Sequence, residues 1–251
     1  MKFPNIVRKH VELISIFRTP VIEFLCDARY IDVAPPPFPA GQGMPEWYKR
    51  IPPVSKLNRD QHGRKALSAK KCIPMIDAMT LGFIIPLAMD QQVNSNHDCS
   101  IVKIGPTSTE FDKMVEFHGV DQVGGKSPIF KSDPIKFINP WVIKTAPGWS
   151  SLFTPCINHL EDRFVCLSGM VDTDKYPKQV NFPGVWLKPN FDDYLPAGTP
   201  LVTVIPFKRT DIITKYNVRE ISTDENKVID TIRKCQTTRL GYYANELKDR
   251  K

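Results

Sequence analysis

The chain has 251 residues, 41% hydrophobic and 24% charged, with a formal net charge of +7. This is the composition of an ordinary soluble globular protein long enough to bury a sizeable core. No apolar run approaches the ~18 residues of a membrane helix, and the opening MKFPNIVRKHVELISIF lacks an apolar block ending in small residues, so the expectation is an intracellular protein without a membrane partner. The 23 prolines against 13 glycines disfavour long helices and point to strands joined by rigid connections. Six cysteines, none in a CxxC pair, fit free thiols in a reducing compartment.

In chain order, VELISIF and VIEFLC are rich in branched and aromatic residues and predict strands. Residues 34–53, APPPFPAGQGMPEWYKRIPP, predict an extended wrapping segment that is neither helix nor inner strand, anchored by the rings of Trp47 and Tyr48. Residues 56–71 hold six basic side chains against Asp60 and no apolar period, which predicts a mobile basic loop. Its Arg64, Lys65, Lys70 and Lys71 are candidates for salt-sensitive phosphate contacts with nucleic acid, against the plainer reading of a solvated loop.

CIPMIDAM predicts a helical turn and LGFIIPLAM a strand, with QQVNSNHDCS read as a turn region. Short strands then follow at intervals of about ten residues: SIVKIG, MVEFHGV, PIKFIN, WVIKTA, SLFTPCI, RFVCLSGMVD, VNFPGVWLK and LVTVIPFK. That spacing predicts a mainly β sandwich or barrel. At the C-terminal end, Ser222 and Glu225 form a capping-box signature, Val228, Ile229, Ile232 and Cys235 share one helical face, and Gly241 interrupts the pattern. The expected organisation is an N-terminal part over 1–55, the basic loop over 56–71, a β core over 72–215 and a helical tail over 216–251.

The stretch SGMVDTDKY sets Asp172 and Asp174 two apart, on one side of a strand that turns back. It follows TAPGWSSLFTPCINH and precedes LPAGTPLVTVIPFKR. Together these segments, over about residues 134–208, resemble the core of dUTPases and dCTP deaminases. The resemblance implies a dUTPase-like β-clip, a distorted jelly roll, assembled as a homo-oligomer and possibly a trimer. It also implies Asp172 as general base, Asp174 beside it, and Tyr176 as the ring packed on a sugar. Two departures bear on activity. Lys175 stands between Asp174 and Tyr176, and the Arg-Ser phosphate segment is replaced by TPCINHLEDR, with Arg163 nearby as the remaining candidate for nucleotide contact. The glycine-rich, arginine-bearing C-terminal arm of those enzymes has no counterpart in the helical tail. A triphosphate site without its clamps loses most of its binding and transition-state stabilisation.

A second set of segments, MPEWYKRIPP, KKCIPMIDAMTLGFIIPLAMD, FINPWVIKTAPGWSSLFTPCINH and GMVDTDKYPKQVNFP, resembles an uncharacterised family encoded by tailed phages and some bacteria. It implies a viral origin and a place in the host cytoplasm or the virion. Cys156, His159 and Cys166 could hold zinc only with a fourth ligand, and their spacing matches no finger or ribbon, so no metal is expected. His97, Asp98 and Cys99 read as a turn, and VGGKSP lacks the loop and helix of a P-loop. The expectation is a non-catalytic assembly or interaction module, a virion structural or host-interaction protein, with no cofactor. The alternative is a nucleotide-binding or nucleotide-hydrolysing protein using Asp172, Asp174, Tyr176 and Mg2+.

Overall fold

The computed structural model describes residues 22–60, 63–107, 113–239 and 241–248. The expected strand at VELISIF lies outside them. The chain divides into two compact units, Met1–Asp211 and Ile212–Lys251.

The first unit is built of antiparallel strands. In chain order they begin with β1 (Glu23–Cys26), β2 (Phe38–Pro39), the short helix α1 (Glu46–Arg50), β3 (Val54–Arg59), β4 (Lys65–Leu67), helix α2 (Ile73–Met79), β5 (Phe83–Pro86), β6 (Gln91–Ser95) and β7 (Val102–Pro106). They continue with β8 (Val115–Phe117), β9 (Ile135–Phe137), β10 (Trp141–Lys144), β11 (Trp149–Pro155), β12 (Phe164–Cys166), β13 (Gly169–Val171), β14 (Phe182–Trp186), β15 (Asp192–Leu195) and β16 (Pro200–Lys208). A five-stranded sheet runs β13-β11-β16-β5-β2 and a four-stranded sheet runs β12-β14-β9-β8. A three-stranded sheet, β15-β6-β7, and the pairs β1-β10 and β3-β4 complete the unit.

The mainly β expectation holds, and the alternation of inward residues explains the core. Phe153, Val202, Val204 and Ile85 from the five-stranded sheet meet Phe137, Phe164, Phe182 and Trp186 from the four-stranded sheet in one cluster. The Phe153 and Phe182 rings lie 5.7 Å apart, and those of Phe137 and Phe164 5.1 Å apart. Full burial of each such ring contributes about 1.5–3 kcal/mol. At Gly82 the backbone has φ +75°, and an added Cβ would stand 2.1 Å from the Val204 carbonyl oxygen. Only glycine lets β5 enter against β16 there.

Four sequence expectations change. The wrapping segment holds a short helix, α1, because EWYKR is free of both proline and glycine; Pro45 precedes it, Glu46 lies in its first turn and Lys49 and Arg50 in its last. Ile51, placed before Pro52, is extended and ends it. The basic segment is a hairpin rather than a loop, with Gly63 at φ +72° in its turn and β3 paired to β4. The QQVNS part of the expected turn is strand β6. Its inward positions are Gln91, Val93 and Ser95, so polar residues hid the alternation. The expected single strand RFVCLSGMVD is split, and the chain leaves the four-stranded sheet at Cys166 and joins the five-stranded sheet at Gly169.

In the second unit, residues 212–222 form no helix or strand. Helix α3 (Thr223–Thr238) follows with the expected capping box: Ser222 Oγ accepts from the Glu225 amide, and the Glu225 carboxylate accepts from the Ser222 amide. Arg219 adds a bidentate pair on Glu225 at 2.7 and 2.5 Å. Its hydrogen bonds, and then those from Ser222, bring the Glu225 carboxyl down to about 2. Ile229, Ile232 and Cys235 are half-buried on one stripe, whereas Val228 is exposed and no residue of α3 is fully buried. Gly241, at φ +77°, separates α3 from a π-turn at Tyr243–Leu247, as its place in the pattern predicts.

Candidate functional site

Asp172 and Asp174 of the SGMVDTDKY stretch sit where β13 ends. The Asp172 carbonyl accepts the amides of Lys175 and Tyr176, both at 2.9 Å, so the chain turns there instead of running on as a strand. Thr173 points inward and is 1% exposed. Its Oγ1 is shared with Thr145 Oγ1 at 2.8 Å and Ser151 Oγ at 2.9 Å, which pins the turn to β11 and to the residue after β10. With Thr173 turned in, both flanking carboxylates are turned toward a residue that the sequence reading missed, Arg209 at the end of β16.

Arg209 grips Asp174 with two parallel bonds, Nη1 to Oδ1 at 2.8 Å and Nη2 to Oδ2 at 2.7 Å. Nη1 also donates to the Trp149 carbonyl at 2.8 Å and to Ser150 Oγ at 3.1 Å, and lies 3.4 Å from Asp172 Oδ1. Ser150 Oγ in turn donates to Asp172 Oδ1 at 2.6 Å. Gly148 closes the ring: its amide donates to Asp174 Oδ2 at 2.7 Å, and its carbonyl accepts the Arg209 amide at 3.0 Å. The glycine has φ +85° in the turn that leads into β11. Bidentate guanidinium–carboxylate pairing of this kind fixes orientation as well as charge.

The electrostatics follow from these bonds. Hydrogen bonds from Arg209, and then from the Gly148 amide, outweigh burial and hold the Asp174 carboxyl well below the usual carboxylate range. The same carboxylates raise the Arg209 guanidinium, Asp174 first. Asp174 is thus an anion at neutral pH and a poor proton acceptor there. Its side chain is 5% exposed, against 51% for Asp172, so the turn is half closed. Ser150 is fully buried and has no surface from which to attack a substrate. The cluster ties three strand ends together, and Asp172 is the more exposed of its two acids.

The remaining candidate residues lie elsewhere. Arg163 is held by Glu161 through Nε and Nη2, both at 2.7 Å. Burial works to raise the Glu161 carboxyl, but these bonds and the Arg163 charge prevail and it lies below its usual range. Tyr176 turns away from the acid cluster and lines a groove of about 360 Å3 with Arg29, Lys113 and Lys178. Among the four basic residues of the hairpin, Arg64 pairs with Asp60 at 2.8 Å and Lys65 sits in β4 opposite Arg59. Lys70 donates to the carbonyls of Tyr48 and Lys49 at 3.1 and 3.2 Å, with its ammonium 4.6 Å from the centre of the Tyr48 ring. Lys71 ends a short 3-10 turn beside it.

Cys156, His159 and Cys166 do share a cavity, of about 270 Å3. Asn158 and Leu160 flank His159 with φ +59° and +56°, and Trp47 Nε1 donates to the Asn158 carbonyl at 2.8 Å, anchoring the wrapping segment as its ring predicts. Burial pushes the Cys156 thiol up to about 12 and the Cys166 thiol up as well, and it lowers His159. Two protonated thiols beside a neutral imidazole make no activated nucleophile. Among the described residues, no three His, Cys, Asp or Glu side chains are grouped to hold a metal ion, and no helix is long and apolar enough to cross a membrane.

No protein-family model matches the chain, and no curated protein matches it in sequence.

Arg209 left no readable signal. It follows an apolar strand in an FKRT sequence, and its partner Asp174 is 35 residues away in the chain. Ser150 sits in a strand where a small polar residue reads as an ordinary sheet position.

Proposed function

We propose that the protein is a non-catalytic assembly module that joins to further copies of itself through the segment 212–238. The observation that carries this reading is the exposure of the tail's apolar side chains: Ile213 is 88% exposed, Tyr216 90% and Val218 85%. Residues 212–221 make no backbone–backbone hydrogen bond with any described residue. On an extended backbone Ile212, Thr214, Tyr216 and Val218 fall on one side, the alternation of a half-buried strand. A strand pattern whose amides and carbonyls pair with no described backbone group, and whose apolar side chains are exposed, is suited to pairing with a sheet edge or with its own copy.

The acid cluster supports the non-catalytic half of the reading. Asp174 is neutralised by Arg209, Ser150 is occluded, and Asp172 Oδ1 already accepts from Ser150. A dUTPase-like clip is the finer fold within the same proposal. Its support is the order of parts: the Gly148 turn, β11, β13 with the turn at Asp172, and then β16. On the resemblance to the phage-encoded family, the role extends to a virion structural or host-interaction protein. Light scattering on the full chain tests the assembly, with association expected for the natural sequence and loss of it for Ile212→Ser/Tyr216→Ser/Val218→Ser. A natural chain that stays monomeric at high concentration, or that turns over dUTP or dCTP with Mg2+, overturns the reading.

A further inference from the structure

The groove beside Tyr176 is built from three separate stretches of chain: residues 27–30 after β1, residues 113–114 with 138–140, and residues 176–181. Its floor is firm. Met114, Asn139 and Pro140 are buried. The Asn139 amide is fully engaged, donating to the Trp141 carbonyl at 2.8 Å and accepting the Trp141 amide at 3.1 Å, while the Asn139 backbone amide reaches Asn181 Oδ1 at 3.2 Å. Such a floor is formed before any ligand arrives, which lowers the entropic cost of binding. The volume, about 360 Å3, falls at the small end of ligand-sized cavities.

Its rim is unbalanced in charge. Among the described lining residues, Arg29, Lys113 and Lys178 face one carboxylate, Asp27, which leaves two positive charges. Arg29 is engaged with Asp27 at 3.2 Å. Lys113 and Lys178 make no hydrogen bond or ion pair with any described residue. The nearby Glu116 is bound to Lys136 at 2.6 Å. Two lysines lining one concave, partly apolar site concentrate positive potential there. The Tyr176 ring stands at the same rim, 43% exposed, as a flat surface for a planar group.

We propose that this groove binds a small dianion carried on a ring, a phosphate monoester or a dicarboxylate, with Lys113 and Lys178 meeting the charge and Tyr176 packing against the ring. This goes beyond the assembly reading and does not depend on it, since neither lysine lies in the tail. Phenyl phosphate, phthalate and neutral phenol are the probes, titrated into the full chain by calorimetry. Saturable binding is expected for one or both dianions and not for phenol, weakening as salt rises. Whichever dianion binds identifies the ligand class. Lys113→Gln and Lys178→Gln should each weaken binding about tenfold, and Tyr176→Ala should weaken the ring-bearing dianion but not inorganic phosphate. Lys208→Gln, a cation over the Trp149 ring and away from the groove, should leave binding unchanged. No saturable binding of either dianion overturns the proposal. So does equal affinity in the Lys113→Gln/Lys178→Gln double variant, with an unchanged denaturation midpoint showing that it is folded.

Discussion

The β unit and the tail solve opposite problems with similar residues. In the β unit, Ile135, Phe137, Val202 and Val204 are entirely covered by the opposing sheet. In the tail, Ile213, Tyr216 and Val218 are at least 85% exposed, and α3 buries no residue. Polar groups differ in the same way. Arg209 in the β unit is locked by a carbonyl and a hydroxyl at the start of β11 and by a carboxylate just past β13. Among the described residues, Arg219 in the tail reaches the neighbouring Glu220 carbonyl and Glu225. The lesson is that the β unit is stabilised by its own packing, while the tail has local capping and lacks a core of its own. A 16-residue helix with no fully buried residue is marginal in water.

Mutations can break that comparison. Phe137→Ala should have the largest effect, about 3–5 kcal/mol in chemical denaturation, because it opens a cavity where both sheets meet. Ile232→Ala in the tail should cost under about 1 kcal/mol of the same transition. A large loss from the tail change would show that the tail shares the core. Gly82→Ala comes next, at about 1–3 kcal/mol, from its positive φ and the approach to the Val204 carbonyl.

Asp174→Asn should produce a smaller loss that depends on pH. The folded-state carboxyl lies below its unfolded value of ~3.9, so its stabilisation is complete above that value and disappears as pH falls through the folded one. The gap in Tm between the natural chain and the variant should be constant from neutral pH to about 5 and close below about 4. A gap that stays the same down to pH 2 would mean that the ion pair with Arg209 contributes nothing. The smallest effect is expected from Ser222→Ala, which should cost about 1 kcal/mol of α3 alone. It should appear as lost helix in circular dichroism while the β-unit transition stays in place.

Much of this division was legible in the sequence. The regular spacing of short apolar runs gave the mainly β architecture, and Ser222, Glu225 and Gly241 marked the start and the interruption of the tail helix. Strands with polar inward residues were not legible. Gln91 and Ser95 are buried because they find backbone partners, and no periodicity of apolar residues shows that. The acid pair was visible as a pattern, yet its meaning rests on Arg209, which topology alone brings across from β16. The groove was invisible for the same reason, since Arg29, Lys113 and Lys178 come from distant stretches of chain.

Amide hydrogen exchange of residues 212–222, followed over a series of protein concentrations, tests the assembly account most directly. Exchange there should be near the unprotected rate in dilute protein and slow progressively as concentration rises, while the amides of β11 and β16 stay protected throughout. Strong protection of 212–222 at every dilution, or none at any concentration, would contradict it.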